Sequence, residues 1–104
     1  MRLGLGIAAG PDPGHLAALA REAEDLGYDS MWTNDSAAGD GLAQLSAWAG
    51  HSEHIRLCVG VLALDRHDPR VIAERLGELD LPLDRMLVGL GAGFAERPLK
   101  VMRE

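Results

Sequence analysis

RLCVGVLALDRHDPRVIAERLGELDLPLDRMLVGL, residues 56–90, decides the fold. In Arg56 to Leu62 the side chains alternate, with Leu57, Val59 and Val61 bulky on one side and Cys58 and Gly60 small on the other. Period two is the pattern of a strand. A polar loop follows, and Asp68-Pro69 then starts a helix: the carboxylate accepts from a free N–H of the first turn, and proline lacks the N–H that would be unpaired there. Ile72, Leu76 and Leu79 return at helical spacing and give that helix one apolar stripe. Met86 to Leu90 is a second strand. Strand, helix, strand is a right-handed crossover, so these two strands run parallel.

Upstream, the unit repeats. Leu3-Gly4-Leu5-Gly6-Ile7 alternates as a strand, Gly10-Pro11-Asp12-Pro13 punctuates it, and Asp12 caps a helix with Pro13 at its first position. Leu16, Leu19, Ala20, Ala23 and Leu26 form its stripe, and Gly27 ends it. Ser30 to Thr33 is a short strand, Asn34 to Gly41 a small-residue loop, and Leu42 to His51 a helix buried through Leu42, Leu45 and Ala49. A helical pattern begins again near Ala95. The expected fold is therefore α/β, a single domain over residues 1–104 built from four βα units, either half of a (β/α)8 barrel or an open flavodoxin-like parallel sheet. A complete barrel needs about 250 residues.

The composition excludes several partners. Sixteen acidic against ten basic residues give a net charge of −6, with no basic cluster, so nucleic acid and anionic membranes are not expected. The apolar start, Leu3 to Ala9, is too short to span a bilayer and is interrupted by Gly4 and Gly6. A cytoplasmic location is the expectation. The single cysteine, Cys58, has no partner for an internal disulfide and reads as a buried thiol.

Three strands share an asymmetry. One face carries Leu3, Leu5, Ile7, Leu57, Val59, Val61, Met86, Val88 and Leu90; the other carries Gly4, Gly6, Ala8, Cys58, Gly60, Leu87, Gly89 and Gly91. Helices cover the bulky face. The small face leaves room for a flat ligand, or else its glycines only ease close packing of strands. Phosphate cradles do not fit: Gly4 and Gly6 lie within a strand, Pro11 and Pro13 remove N–H groups, and Gly89-Leu-Gly91-Ala-Gly93 lacks the following Lys-Ser/Thr.

The stretches AREAEDLGYDSMWTND (20–35), SEHIRLCVGVLALDRHDPRVIAERLGELD (52–80) and RMLVGLGAGF (85–94) together resemble the N-terminal part of bacterial luciferase-like flavin-dependent oxidoreductases. That family holds FMN-dependent monooxygenases and deazaflavin (coenzyme F420)-dependent dehydrogenases on a (β/α)8 barrel. The resemblance implies redox chemistry on a small organic substrate, with FMN or F420 held at the C-terminal ends of the strands. It places Ala8 and Ala9, Asn34, Val61, Leu62 and Ala63, and Gly91, Ala92 and Gly93 around the ring, with a non-proline cis peptide near Gly60-Val61. Asp35 and His67 are the candidate catalytic groups; backbone amides around Asp35 and a cap interaction of His67 are the competing explanations. Two departures stand out. Ser36 occupies the place where many relatives carry a histidine, and the family anchors the cofactor phosphate with later segments of the barrel.

Other constellations carry less. His51-Ser-Glu-His54 lies at the opposite end of the strands from the expected pocket and reads as a solvated turn, so no metal is expected. Trp32 and Trp48 read as core residues. Four strands leave two bare edges, and a homodimer would complete an eight-stranded barrel; a non-catalytic half-barrel is the alternative to an enzyme.

Overall fold

A computed structural model describes residues 2–64 and 67–91. In chain order the elements are β1 (Gly4–Gly6), a 3-10 segment (Pro13–Leu16), α1 (Leu19–Asp25), β2 (Ser30–Thr33), α2 (Gly41–Ala49), β3 (Arg56–Ala63), α3 (Pro69–Glu78), a 3-10 turn (Leu83–Arg85) and β4 (Met86–Gly91). The strands pair in parallel in the order β1-β2-β3-β4. Sequential order is that of a barrel wall. A flavodoxin-like sheet would place its second strand outside the first and helices on both faces. The partial TIM-barrel expectation holds, and the open doubly wound sheet is set aside.

Three aspartates start three helical segments, Asp12 and Asp68 as the sequence indicates and Asp40 from within the expected loop. Asp12 accepts from the Gly14 N–H, Asp40 from Ala43 and Asp68 from Arg70. The first helix is nevertheless broken. The carbonyls of Pro13 and Leu16 accept from the side chains of Gln44 and Trp48 on α2 (both 3.2 Å), so they point toward a neighbouring helix instead of into a continuous ladder. A regular helix resumes only at Leu19. It ends at Asp25, and Gly27 turns the chain at φ +89°, which leaves Leu26 exposed instead of on the apolar stripe.

The core lies between one face of the sheet and the helices. Met31, Leu57, Val59 and Leu62 meet Ala20, Ala23, Leu42, Leu45, Trp48 and Ile72 there. Trp48 is fully buried, as expected. Trp32 is not: it stands on the face that carries no helix among the described residues, here the helix-free face, 40% exposed, with its Nε1–H donated to Ser30 Oγ. Leu3, expected on the bulky face, precedes β1 and is exposed.

The bulky-face pattern of β3 also fails beyond Gly60. The Gly60-Val61 peptide is cis, at the place the family resemblance indicates, and the pairing with β4 shifts between Gly60 and Leu62. Val61 thereby leaves the core face and is 45% exposed, whereas Leu62 enters the core at 1%.

At the N-terminal end of the strands, Arg85 ties α2 to the sheet. Its guanidinium donates to Ser52 Oγ (2.9 Å) and to the carbonyls of Ile55 (2.8 Å), Ser52 (3.1 Å) and Ala49 (3.4 Å), the last at the C-terminal end of α2. A cation there meets unpaired helix carbonyls and the negative end of the helix dipole.

Candidate functional site

The C-terminal ends of β1, β2 and β3 form two neighbouring depressions. The first lies on the helix-free face, about 280 Å³, lined by Gly6, Ile7, Ala8, Trp32, Thr33, Asn34 and Gly60. Its floor is open because of glycine: a Cβ added at Gly6 would meet no atom within 4 Å, and one at Gly60 would only touch the Trp32 ring at 3.8 Å. The exposed indole of Trp32 gives this floor an apolar, planar surface. Ala8 and Asn34 line it; Ala9 does not. Ala9 is buried, its N–H is donated to Asn34 Oδ1 (2.9 Å), and its carbonyl lies against Gly39, so it holds the two loops together from beneath.

The strand-four glycines also have another role. A Cβ on Gly89 or Gly91 would lie 3.1 or 2.9 Å from the methyl groups of Val61. Val61, brought to the helix-free face by the register shift, therefore occupies the space above those glycines. Gly91 sits beneath a side chain here instead of forming an open floor. Leu62 is 1% exposed and packs with the core against the helices. Ala63 pairs with Gly91 in the sheet, and Ala92 and Gly93 lie outside the described residues.

The second depression, about 370 Å³, lies between the loops that follow β1, β2 and β3 and is lined by Gly10, Pro11, residues 35–40 and His67. Here the structure brings together the two residues expected to carry chemistry. His67 Nε2 and Asp35 Oδ2 are 2.5 Å apart, although 32 positions separate them in sequence. Asp35 is 2% exposed in its side chain and His67 19%. Asp35 Oδ1 also accepts from the Gly41 N–H at 2.7 Å, at the first residue of α2. A carboxylate held by a backbone donor and an imidazole is a fixed acceptor, and it orients the ring and selects its tautomer. The backbone explanation thus applies in part to Asp35, which Gly41 N–H and the imidazole hold at once, while the α3 cap is made by Asp68 and not by His67.

Ser36 serves the turn. Its Oγ accepts from Ala38 N–H (3.1 Å), and its backbone exchanges hydrogen bonds with Gly39 at 3.0 and 3.2 Å. Gly39 has no room for a side chain, since its Cβ would fall 2.2 Å from the carbonyl oxygen of Ala9. Asp40, at the rim, caps α2 and forms a two-pronged ion pair with Arg75 of α3, at 3.1 and 2.6 Å. Burial works against its charge, but the Arg75 guanidinium and the N–H groups of Ala43 and Leu42 outweigh burial and hold its carboxyl below the usual range. On the helix-free face, burial pushes the Cys58 thiol up, with Arg56 opposing the shift weakly, so the sulfur is a packed thiol.

Comparison with known proteins bears on this site. The family model for luciferase-like monooxygenases matches residues 1–103. The chain belongs to that family. A Mycobacterium tuberculosis protein assigned as a coenzyme F420-dependent oxidoreductase is 32% identical over 94 residues, which is 88% of this chain and 27% of that protein. The solved structure of the coenzyme F420-dependent tetrahydromethanopterin reductase from Methanopyrus kandleri superposes with a TM-score of 0.75 at 23% identity, covering 98% of this chain and 30% of that one. The second likeness shows the fold. The chain thus spans less than a third of the length of these luciferase-like relatives. Among the described residues, no helix is long and apolar enough to cross a membrane, and no three His, Cys, Asp or Glu gather as a metal site.

Sequence reasoning does not single out Trp32, Gly39 or the Asp40–Arg75 pair as site residues. For Trp32 a signal is present: strand period two places it opposite Met31 and Thr33, on the face of Gly6 and Gly60.

Proposed function

We propose that this chain carries the ring-binding end of a coenzyme F420-dependent oxidoreductase acting on a small organic substrate. The supporting observation is the open floor at Gly6, Trp32 and Gly60, directly beside a loop cluster that pairs Asp35 with His67. The floor fits a flat heteroaromatic ring because two of its three residues lack a side chain and the third is an exposed indole. Bound F420, or FMN in the flavin-using branch of the family, supplies hydride transfer. The phosphate-bearing part of such a cofactor is held in relatives by later segments of the barrel, so the present residues are expected to bind the ring weakly.

The chain's own residues position and manage protons. Ala8 and Asn34 border the floor, and the Ala9 N–H fixes the Asn34 amide. With the Asp35 carboxylate as acceptor, the His67 proton would sit on Nε2 and leave Nδ1 to accept or release a proton for the substrate. Ser36 is a poor proton carrier near neutral pH, and the imidazole of His67 from the β3–α3 loop would stand in for the histidine many relatives carry at that position. The test is titration of F420, and separately FMN, against the purified chain, followed by ligand absorbance and fluorescence. Saturable binding of F420 is expected; no binding at high micromolar concentration overturns the proposal.

A second reading has its own observation. Trp32, Val61 and Leu87 are exposed together on the helix-free face, and β1 and β4 are the outer strands of the sheet. A second copy facing the first would cover these side chains and supply eight strands, in which case the chain is an assembly module in the cytoplasm. Sedimentation at micromolar concentration decides it: a dimer is expected on this reading, and a monomer alone contradicts it.

A further inference from the structure

Two loops meet at the rim of the site, and they are fastened twice. One fastening is the His67–Asp35 contact. The other is Arg75, on the second turn of α3, whose two terminal nitrogens grip the two oxygens of Asp40. The two are linked by short, stiff connections. Asp40 caps α2 through Ala43 N–H, and the first residue of that helix, Gly41, donates to the Asp35 carboxylate. On the other side, His67 adjoins Asp68, the cap of the helix that carries Arg75. The result is a closed ring of contacts: Arg75 to Asp40, to Gly41 and Asp35, to His67, and back along α3.

We propose that Arg75 is a positioning residue for the Asp35–His67 pair. The inference rests on the reading of that pair as the proton-handling group. With Asp40 43% exposed, solvent screening keeps the contribution of this two-pronged pair to stability modest. Its geometry has another consequence. The guanidinium fork fixes both distance and orientation between the start of α2 and the body of α3. Those two bodies carry the donor to Asp35 and the residue that precedes the α3 cap, so the fork sets the separation at which imidazole meets carboxylate. Lysine in its place would keep the charge without fixing the angle.

The experiment is proton–nitrogen NMR of the imidazoles in the full, cofactor-free chain. In the wild type, His67 is expected to show a strongly deshielded Nε2–H that exchanges slowly with water. Arg75→Gln should leave the amide spectrum folded while that proton exchanges about tenfold faster or more, the scale of one charge-assisted hydrogen bond. Arg75→Lys should fall between the two. Arg21→Gln, which breaks an exposed ion pair with Asp25 on α1, should change nothing at His67. A His67 signal in folded Arg75→Gln that superimposes on the wild type overturns the proposal. If Arg75→Gln does not fold, Arg75→Lys decides by the same criterion, a faster-exchanging proton supporting the proposal and an unchanged one overturning it. Because no cofactor is present, this result stands apart from whether F420 binds.

Discussion

Gly39 and Gly6 illustrate how differently glycines in one site are constrained. At Gly39 the missing Cβ lets the turn after β2 lie on the backbone of Ala9, and an added methyl would collide with a carbonyl that cannot rotate away. Gly39→Ala is therefore expected to destabilise the chain by about 1–3 kcal/mol or more, read as a lower urea midpoint with the slope unchanged. At Gly6 an added Cβ meets nothing within 4 Å, so a small side chain would enter the depression without a clash at that atom. Sequence alone does not separate these cases. Period two correctly places Gly4, Gly6 and Gly60 on one face, but the cleared space it suggests at Gly89 and Gly91 is filled by Val61, which arrives there only through a register shift. Pairing between strands is a long-range fact, and no local pattern in residues 56–63 announces a shift. The Asp35–His67 contact is foreshadowed because both residues follow strand ends, where a parallel sheet gathers its loops.

Helices α2 and α3 are legible from their apolar stripes, and α3 also from its Asp68 cap; their bounds follow the sequence reading to within about two residues at each end, the usual margin for helix ends. The first helix is not. Its break comes from Gln44 and Trp48, thirty-one and thirty-two residues away from the carbonyls they take, and nothing within residues 12–26 encodes that. The cap of α2 also sets a pH response. The Asp40 carboxyl titrates below its ordinary value of 3.8 when folded, so its contribution to stability is present above that pH and is lost as pH falls through the depressed folded value. Asp40→Asn retains a good cap but loses the charge. Urea midpoints measured from neutrality down to acid should fall for both proteins, with a smaller loss between neutral and acid pH in Asp40→Asn. Equal losses would remove Arg75 and the helix start as the cause.

For the whole molecule, the sequential order of four parallel strands is what makes one face a helix-packed core and the other a half-barrel interior. That face bears the exposed Trp32, Val61 and Leu87, and the C-terminal end of it carries the depression beside the Asp35–His67 pair. Membership of the luciferase-like family gives the fold and a chemical precedent in F420-dependent relatives, and the proposed function would seat a ring on the open floor at Gly6. The direct test is F420 binding by Gly6→Val beside the wild type, with thermal unfolding of both as the control. Gly6→Val is expected to be equally or slightly more stable, since valine suits a strand and its Cβ meets no atom within 4 Å, and to lose the saturable F420 signal. A folded Gly6→Val chain that binds F420 as well as the wild type would contradict the placing of the ring on that floor.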